Sequence, residues 1–279
     1  MSLGIRRQTK ELVMPRSRCW PVLLVLALVP FIPLASGQEK SVRPGINKPF
    51  ENPDVQEFIG TFEAESREIF VERKKIVAAC KLKPEMTVAD IGAGTGLFTH
   101  LFAKEVGPKG RVYAVDIAPK FIEHIKKTCK EADIKNVVGV VCTADSVKLP
   151  PKSVDLVFIC DTYHHFEFPY KTMASIHEAL RPSGQVVVID FRRILGKTRA
   201  WLLYHVRAGQ EVVVKEIESS GFKKVVEEHF LSENYLVRFE KVDQQKDQER
   251  KATAEDTKKA GRLRARAACL PCEAQAYPR

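Results

Sequence analysis

The sequence predicts an α/β fold: a doubly wound, Rossmann-like sheet of seven strands, mostly parallel, that ends in a C-terminal antiparallel hairpin. Three observations lead to this prediction. Apolar strand-like runs alternate with amphipathic helical stretches through the middle of the chain. The runs are apolar throughout rather than at every second residue, as expected when helices cover both faces of a sheet. Near the end, two strand-like runs are separated by only a short segment, which favours an antiparallel pair.

The elements follow in a regular order. The five parallel strands alternate with helices, and an irregular, basic stretch extends from the fifth strand to about Ala208. Helices are predicted at Phe62–Leu82, near 95–106, 119–131 and 170–181, and at Glu211–Ser220. Strands are predicted at Thr87–Ile91, Val112–Asp116, Val137–Cys142, Val154–Cys160, Gln185–Asp190, Lys223–His229 and Tyr235–Lys241.

The two ends of the chain differ in composition from its body. Residues 1–37 contain basic residues, an apolar run from Val22 to Leu34 and the small residues Ala35-Ser36-Gly37, which predicts a signal peptide or an N-terminal anchor. Prolines and glycines among charges predict a linker at 38–53, and the charged segment 243–279 is predicted to be disordered. A domain at 54–242 remains. We expect it to be exported (periplasmic or secreted) or membrane-anchored, and cytoplasmic if the N-terminal segment is unused.

Charge and cysteine usage limit the functional classes. Most of the net charge of +10 lies in the two ends, so a nucleic-acid-binding surface on the domain is not supported. Membrane contact is expected only through the N-terminal segment. Of the seven cysteines, only the pair in Cys269-Leu-Pro-Cys272 has a suggestive spacing, and it has no second pair of ligands. The sequence therefore predicts no metal site.

A glycine-rich loop follows the first predicted strand in the stretch VADIGAGTGLFT, residues 88–99. Gly92, Gly94 and Gly96 allow close approach of the backbone to a ligand, and the following helix presents free N–H groups. In the dinucleotide fingerprint G-x-G-x-x-G the third glycine comes one residue later, and the Gly-Lys-Ser/Thr end of a phosphate-binding loop is absent. The loop suits a nucleotide-like ligand that lacks a pyrophosphate.

Acidic residues stand at the ends of the following strands. Asp116 ends the second strand, where a carboxylate can accept both ribose hydroxyls of an adenosine. Asp145 follows the third strand, where a carboxylate and a neighbouring N–H can bind an adenine edge. The fourth strand ends in Asp161 and two histidines. Ligands bind at this carboxyl edge of open α/β sheets. Ordinary strand-end or helix-cap acids are the alternative interpretation.

These motifs, with Ala144-Asp145, the HHF strand end and the stretch ALRPSGQVVVIDF, resemble class I S-adenosylmethionine-dependent methyltransferases. The chain is most similar to the ubiquinone/menaquinone C-methyltransferase-like (type 11-like) group, over about residues 60–241. The resemblance implies S-adenosyl-L-methionine as cofactor, with Asp90 near its amino group, Asp116 at the ribose, Asp145 at adenine N6 and Asp161 near its methionine part. The implied cofactor-binding residues are Asp90, Gly92, Ala93, Gly94, Gly96, Asp116, Ile117, Ala144, Asp145 and Asp161.

Methyl transfer requires mainly the alignment of a nucleophile with the methyl group, and a base only if the nucleophile must lose a proton. His164 and His165 are the candidate bases, with packing or capping roles as the alternative. An Asp/Asn-Pro-Pro-aromatic motif does not follow strand four, which disfavours methylation of DNA bases or glutamine. The Asp/Asn ligand set of metal-dependent catechol methylation is also missing from the sequence pattern.

The segment 191–210 follows the fifth strand, where this fold usually forms the acceptor pocket. It mixes arginines with large apolar residues, so Arg192 and Arg207 are candidate acceptor contacts, together with Tyr163 from the end of the fourth strand. They predict a small-molecule acceptor that is amphipathic or anionic; a solvated basic loop is the alternative. Two other functions are considered: an exported S-adenosylmethionine-binding protein without turnover, and, less favoured, a nucleotide-linked oxidoreductase.

Overall fold

The structure is a computed structural model that describes residues 38–242. The predicted signal peptide or anchor at 1–37 and the charged tail at 243–279 lie outside the described residues. Within 38–242, no helix has the length and apolar character needed to cross a membrane.

The described part of the chain forms one seven-stranded sheet. Its strands are β1 (Thr87–Ile91), β2 (Arg111–Asp116), β3 (Val137–Val141), β4 (Val154–Cys160), β5 (Leu180–Phe191), β6 (Phe222–Glu228) and β7 (Asn234–Lys241). The strand order is β3-β2-β1-β4-β5-β7-β6. The first five strands are parallel, and β7 is antiparallel to both β5 and β6. The predicted fold class is therefore confirmed.

Helices cover both faces of this sheet, which explains the continuous apolar strands. The helices are α1 (Val55–Phe62), α2 (Glu68–Val71), α3 (Arg73–Ala79), α4 (Leu97–Val106), α5 (Pro119–Glu131), α6 (Pro169–Ala179), α7 (Ala200–His205) and α8 (Gln210–Ser219). In β4, Val157 and Ile159 lie in one core cluster with Met173 of α6. Their neighbours Leu156 and Phe158 lie in the other cluster, which includes residues of α3 and α4. Alternate residues of one strand thus enter opposite cores.

The prediction of a single helix at Phe62–Leu82 is wrong, because this region is divided among α1, α2 and α3. The residues between α1 and α2 make tertiary contacts instead of continuing the helix. Glu63 accepts a hydrogen bond from the Thr95 hydroxyl at 2.8 Å, and Arg67 forms an ion pair with Asp161. A smaller difference occurs before Ala208, where the predicted irregular stretch contains α7.

The prediction of a linker at 38–53 also needs correction, because the segment packs against the domain. The Val42 N–H donates to the Glu167 carbonyl at 2.9 Å, and the Asn47 side chain donates to the His165 carbonyl at 3.1 Å. Ile46 is buried, and a short 3-10 helix spans Lys48–Phe50. Proline and glycine here set the path of an ordered strap across the ends of β4 and α6.

Glu68 of α2 anchors the β6–β7 connection. Its carboxylate accepts hydrogen bonds from the backbone N–H groups of Ser232, Glu233 and Asn234 at 2.6, 3.0 and 3.0 Å, and from the Ser232 hydroxyl at 2.6 Å. Burial by itself would raise the pKa of Glu68, but these hydrogen bonds outweigh it and hold the pKa below its ordinary value. The ionised carboxylate therefore stabilises the fold.

Glu68→Gln should lower the free energy of unfolding at neutral pH by about 1–3 kcal/mol, because an amide cannot replace a carboxylate that accepts several N–H bonds. A folded pKa below the unfolded pKa means that this stabilisation is present above the unfolded pKa and is lost as pH falls through the folded pKa. The difference between the two proteins should therefore shrink below about pH 4. Urea unfolding at several pH values measures this difference in the free energy of unfolding.

Glu65→Gln provides the matched control, because Glu65 is an exposed acid of the same segment. Equal urea midpoints for Glu68→Gln and Glu65→Gln at neutral pH would contradict the anchoring role.

Candidate active site

A cavity of about 520 Å³ opens at the carboxyl ends of β1 and β4. The strand order reverses between these two strands, since the chain continues from β1 to β2 and β3 on one side and from β4 to β5 on the other. Ligands of doubly wound sheets bind at this switch point, and the volume suits a small molecule. The loop after β1, the end of β4 and α7 all contribute residues to the lining.

The glycine-rich loop forms one wall of this cavity. Gly92, Ala93 and Gly94 line it, whereas Gly96 lies outside the lining as the residue before α4. Gly92 has φ of +71°, and a Cβ at this position would collide with the Thr162 side chain. This glycine is therefore required where the ends of β1 and β4 meet.

Asp116 ends β2 beside the loop and lines the cavity with Ile117. Its side chain is buried: one oxygen accepts the Gly94 N–H at 2.9 Å, and the other accepts the Ala118 N–H at 2.8 Å. Burial raises the pKa of Asp116, although these N–H groups oppose the shift. Each carboxylate oxygen can still accept a further hydrogen bond, so two hydroxyl groups of a ligand can be held here.

The remaining acids at this end are placed differently. Ala144 lines the cavity, but Asp145 does not; its carboxylate accepts the Thr143 hydroxyl at 2.9 Å. Asp90 lines the cavity and accepts the Thr99 hydroxyl at 2.7 Å. Burial raises the pKa of Asp90 to about 7; the Thr99 hydrogen bond opposes this shift and the charge of Asp116 adds to it.

Asp161 lies at the junction of three segments. It has φ of +48°, and its two oxygens are engaged by Arg67, from the break between α1 and α2, and by the Asn234 amide of β7 at 2.6 Å. Burial raises its pKa to about 6 against the opposing charge of Arg67. Asp161 lines the cavity while it ties these segments to the end of β4.

The two predicted histidines stand in a 3-10 turn, Tyr163–His165, directly after β4. His164 is buried, and its Nδ1 lies 2.7 Å from Oδ1 of Asp190, near the end of β5. The other oxygen of Asp190 accepts the His164 backbone N–H at 3.0 Å. Burial alone would lower the pKa of His164, but the Asp190 carboxylate outweighs burial and raises it. The carboxylate thus fixes both the ring and the turn.

His165 faces a third histidine, His205 of α7, with 3.3 Å between their Nε2 atoms. Burial, with the neighbouring His164 and His205, lowers the pKa of His165 to about 2. The pKa of His205 is also lowered, first by burial. His165 is therefore a neutral imidazole near neutral pH and a weak base. Both rings line the cavity beside His164.

The candidate acceptor contacts Tyr163, Arg192 and Arg207 do not line the cavity. The Tyr163 hydroxyl donates to Glu216 of α8 at 3.1 Å, and Arg207 donates to the same carboxylate at 2.9 and 2.6 Å. Arg192 donates to Gln210 at 3.3 Å. The prediction that these residues contact the acceptor is therefore corrected. Tyr163 and Arg207 both bind Glu216 instead of lining the cavity. The large side chains that line the cavity next to the histidines are Phe50, Phe191 and Trp201, with ring centroids 5.1 Å from His165, 6.0 Å from His164 and 5.9 Å from His205.

Four residues of the site were missed by sequence reasoning: Arg67, Asp190, His205 and Asn234. Asp190 had a detectable signal, since it follows an apolar run at a strand end as Asp116 does. The other three had none, because each comes from a segment whose position depends on tertiary packing.

A family model described as a methyltransferase domain matches residues 82–257, more than half of the chain. The chain therefore belongs to this methyltransferase domain family. The ubiquinone/menaquinone biosynthesis C-methyltransferase UbiE of Hydrogenovibrio crunogenus is 31% identical over 114 residues, which are 40% of this chain and 45% of that protein. UbiE of Bordetella parapertussis is 26% identical over 118 residues, 42% of this chain and 45% of that protein. The chain matches about half the length of these curated relatives.

The fold is shared with a solved structure, a SAM-dependent methyltransferase from Aquifex aeolicus. It aligns with a TM-score of 0.62 at 23% identity and covers 68% of this chain and 100% of that chain. The family match confirms the predicted enzyme class, an S-adenosylmethionine-dependent methyltransferase, and its cofactor. The structural match confirms the fold, and the chain is similar to the two UbiE proteins over 40–42% of its length.

The raised pKa of Asp90 predicts proton-linked cofactor binding. The resemblance implies that the ammonium group of the cofactor lies beside Asp90; a cation there would favour the ionised carboxylate, so binding below the pKa of about 7 would release a proton. Affinity for S-adenosylhomocysteine should therefore rise with pH up to about 7 and level off above it. Calorimetry in buffers of different ionisation enthalpy measures both the affinity and the released proton.

Two variants sharpen this measurement. Asp90→Asn should bind more weakly and lose the pH dependence. Thr99→Val should shift the dependence to higher pH, because it removes the hydrogen bond that lowers the pKa of Asp90. Equal affinity of the unaltered protein at about pH 6 and pH 8 would contradict the role of Asp90.

Proposed function

We propose that this chain transfers a methyl group from S-adenosylmethionine to a small-molecule acceptor bound at the histidine-lined end of the cavity. One observation carries the proposal: a single cavity joins the glycine loop and Asp116 to the His164–Asp190 pair across the ends of β1 and β4. A donor at one end and an acceptor at the other would meet where these strands end, which is the alignment that methyl transfer requires.

The residues at the loop end fit the cofactor. Asp116 is a buried carboxylate with spare acceptor capacity on both oxygens, as a ribose diol requires. Gly94 and Ala93 would face the chain of the methionine part, and Ile117 and Ala144 would flank the base. When bound, S-adenosylmethionine supplies a methyl group whose bond to sulfur breaks with its electron pair left on sulfur.

The other end of the cavity suits a planar acceptor. Phe50, Phe191 and Trp201 provide aromatic surface beside the three histidines. The curated relatives are named for ubiquinone and menaquinone biosynthesis, which supports an aromatic acceptor with ring oxygens. The predicted amphipathic or anionic character of the acceptor agrees with the presence of Arg43 near the cluster. Its guanidinium donates to the Tyr204 carbonyl at 2.7 Å, and its positive charge acts to lower the pKa of each of the three histidines.

The protein contributes to the reaction by positioning the acceptor against the methyl group. Aromatic side chains exclude water and orient the acceptor, whose lone pair forms the new bond to the methyl carbon. If the attacking atom carries a proton, the proton leaves at the histidine cluster, where Nδ1 of His164 is held by Asp190 and Nε2 is the remaining ring nitrogen. His165 is too weak a base for this step. Asp190 acts as a positioning residue.

Calorimetry tests the cofactor half of the proposal. S-adenosylmethionine and S-adenosylhomocysteine should bind at about micromolar level and NAD should not bind. Asp116→Asn should weaken S-adenosylhomocysteine binding by more than about tenfold, because it removes a charged acceptor of N–H and hydroxyl groups. Asp133→Asn, at an exposed acid, is the matched control and should bind as the unaltered protein does. Binding of NAD alone would overturn the proposal.

Methyl transfer is then measured with S-adenosylmethionine labelled in the methyl group, against quinols, phenols and aromatic acids. Asp190→Asn should lower kcat for an accepted substrate while the affinity for S-adenosylhomocysteine is kept, because Asp190 orients the acceptor end only. Cofactor binding without any methylated product would favour the alternative of a binding protein without turnover.

We also propose, from the sequence of residues 1–37 alone, that the domain is exported or anchored at a membrane. Fractionation of cells with N-terminal sequencing of the native protein tests this. A start at Gln38 in a non-cytosolic fraction is the result expected of an exported domain, and a membrane-bound protein that retains residues 14–37 is the result expected of an anchored one. A cytosolic protein that retains residues 14–37 would contradict it.

A further inference from the structure

We infer that His164, His165 and His205 form a binding site for one divalent transition metal ion, with zinc as the ion that defines the site. The inference rests on the proposed function, since it places the metal at the acceptor end of the same cavity. It goes beyond the sequence pattern, which predicts no metal site because the lone Cys-x-x-Cys pair has no second pair of ligands. The third histidine of the cluster lies 40 residues from the second.

The spacing of the three rings suits a single ion. One nitrogen of each ring lies within 4.8 Å of the others, and the Nε2 atoms of His165 and His205 are 3.3 Å apart. Two imidazole nitrogens that bind one zinc ion at about 2.0–2.1 Å in tetrahedral geometry are separated by roughly 3.3–3.4 Å. The His165–His205 pair therefore already has the separation of two ligands. These are three of the seven histidines of the chain.

Asp190 supplies the support that metal-binding histidines usually have. Histidine ligands donate their second ring N–H to a carboxylate or carbonyl, which fixes the ring and makes the other nitrogen a better ligand. Nδ1 of His164 lies 2.7 Å from a carboxylate oxygen of Asp190, so Nε2 remains for a metal ion. Asp190 is itself buried and also holds the His164 backbone.

The orientation of the other two rings agrees with this role. The Nε2 atoms of His165 and His205 face each other at 3.3 Å, so one metal ion bound between the rings would meet one nitrogen of each.

The set of ligands leaves a coordination position open. Three histidines are the protein ligands of catalytic zinc sites, whose fourth position takes water or substrate. His164, His165 and His205 all line the cavity, so a bound acceptor could supply the fourth ligand through a ring oxygen. The metal would then lower the pKa of that oxygen, and His164 would act as a ligand rather than as a base.

The experiment uses the full chain, purified without a polyhistidine tag. Zinc binding is measured by competition with a chromophoric chelator, and the metal content by mass spectrometry. About one zinc per chain is expected at the cluster. His205→Ala should weaken this binding at least tenfold, and Asp190→Asn about 10–100-fold. His205 is only half-buried on a short helix, so its replacement should leave the fold intact. His229→Ala, at an exposed histidine, is the matched control.

A variant without the two cysteines of the C-terminal segment tests whether zinc binds there or at the histidine cluster. The double substitution Cys269→Ser and Cys272→Ser should leave zinc affinity and stoichiometry unchanged. Cobalt provides an independent signature: visible bands of a site with nitrogen and oxygen ligands, without a thiolate-to-cobalt band in the near ultraviolet, and lost in His205→Ala.

Three outcomes would overturn the inference: zinc affinity equal in His205→Ala and His229→Ala, zinc binding lost in the cysteine variant, or no zinc binding at all. The proposed function fails separately, through the absence of S-adenosylhomocysteine binding or of methyl transfer. A protein that methylates an acceptor with no bound metal keeps the function and loses this site.

Discussion

The close contact between the ends of β1 and β4 is the constraint on which the site depends. Gly92 has no side chain, and Thr162 occupies the space that a Cβ would take. The two strand ends can therefore meet where the strand order reverses, and the loop after β1 and the turn after β4 both line one cavity. A bulkier residue at 92 would push these two segments apart. In the proposed reaction the cofactor and the acceptor would then lose the alignment on which methyl transfer depends.

Buried carboxylates hold the same walls in place. Removing a charge from water is costly unless partners replace the lost hydration, and each acid here has such partners. Asp116 is bound by backbone N–H groups from its own turn and from the glycine loop. Asp161 is bound by Arg67 and Asn234, which attaches the segment before the sheet and the last strand to the end of β4. Asp190 joins β5 to the histidine turn. The electrostatic pairs that stabilise the site are therefore also the contacts that bring its segments together.

The sequence pattern predicted which residues line the cavity better near the glycine loop than in the segment after β5. Asp116 and the glycine loop were identified because both stand at ends of regular strands, where position along the chain determines position in the sheet. Arg192 and Arg207 were chosen by charge in a segment without periodicity. In the structure Arg207 donates a hydrogen bond to Glu216 and Arg192 donates one to Gln210, whereas the neighbouring His205 lines the cavity. Charge alone does not show whether an arginine faces a ligand or a carboxylate of its own protein.

By itself the sequence determined the order of strands and helices, the class of sheet and the place of the nucleotide loop, because hydrophobic period and glycine spacing are local properties. Tertiary structure decided what depends on partners distant in the chain. The helix predicted at Phe62–Leu82 is interrupted because Glu63 and Arg67 bind Thr95 and Asp161. The residues at 38–53 are ordered by contacts with Glu167 and His165. His205 comes beside His164 and His165 only when α7 packs near the end of β4, because no local sequence pattern specifies that contact.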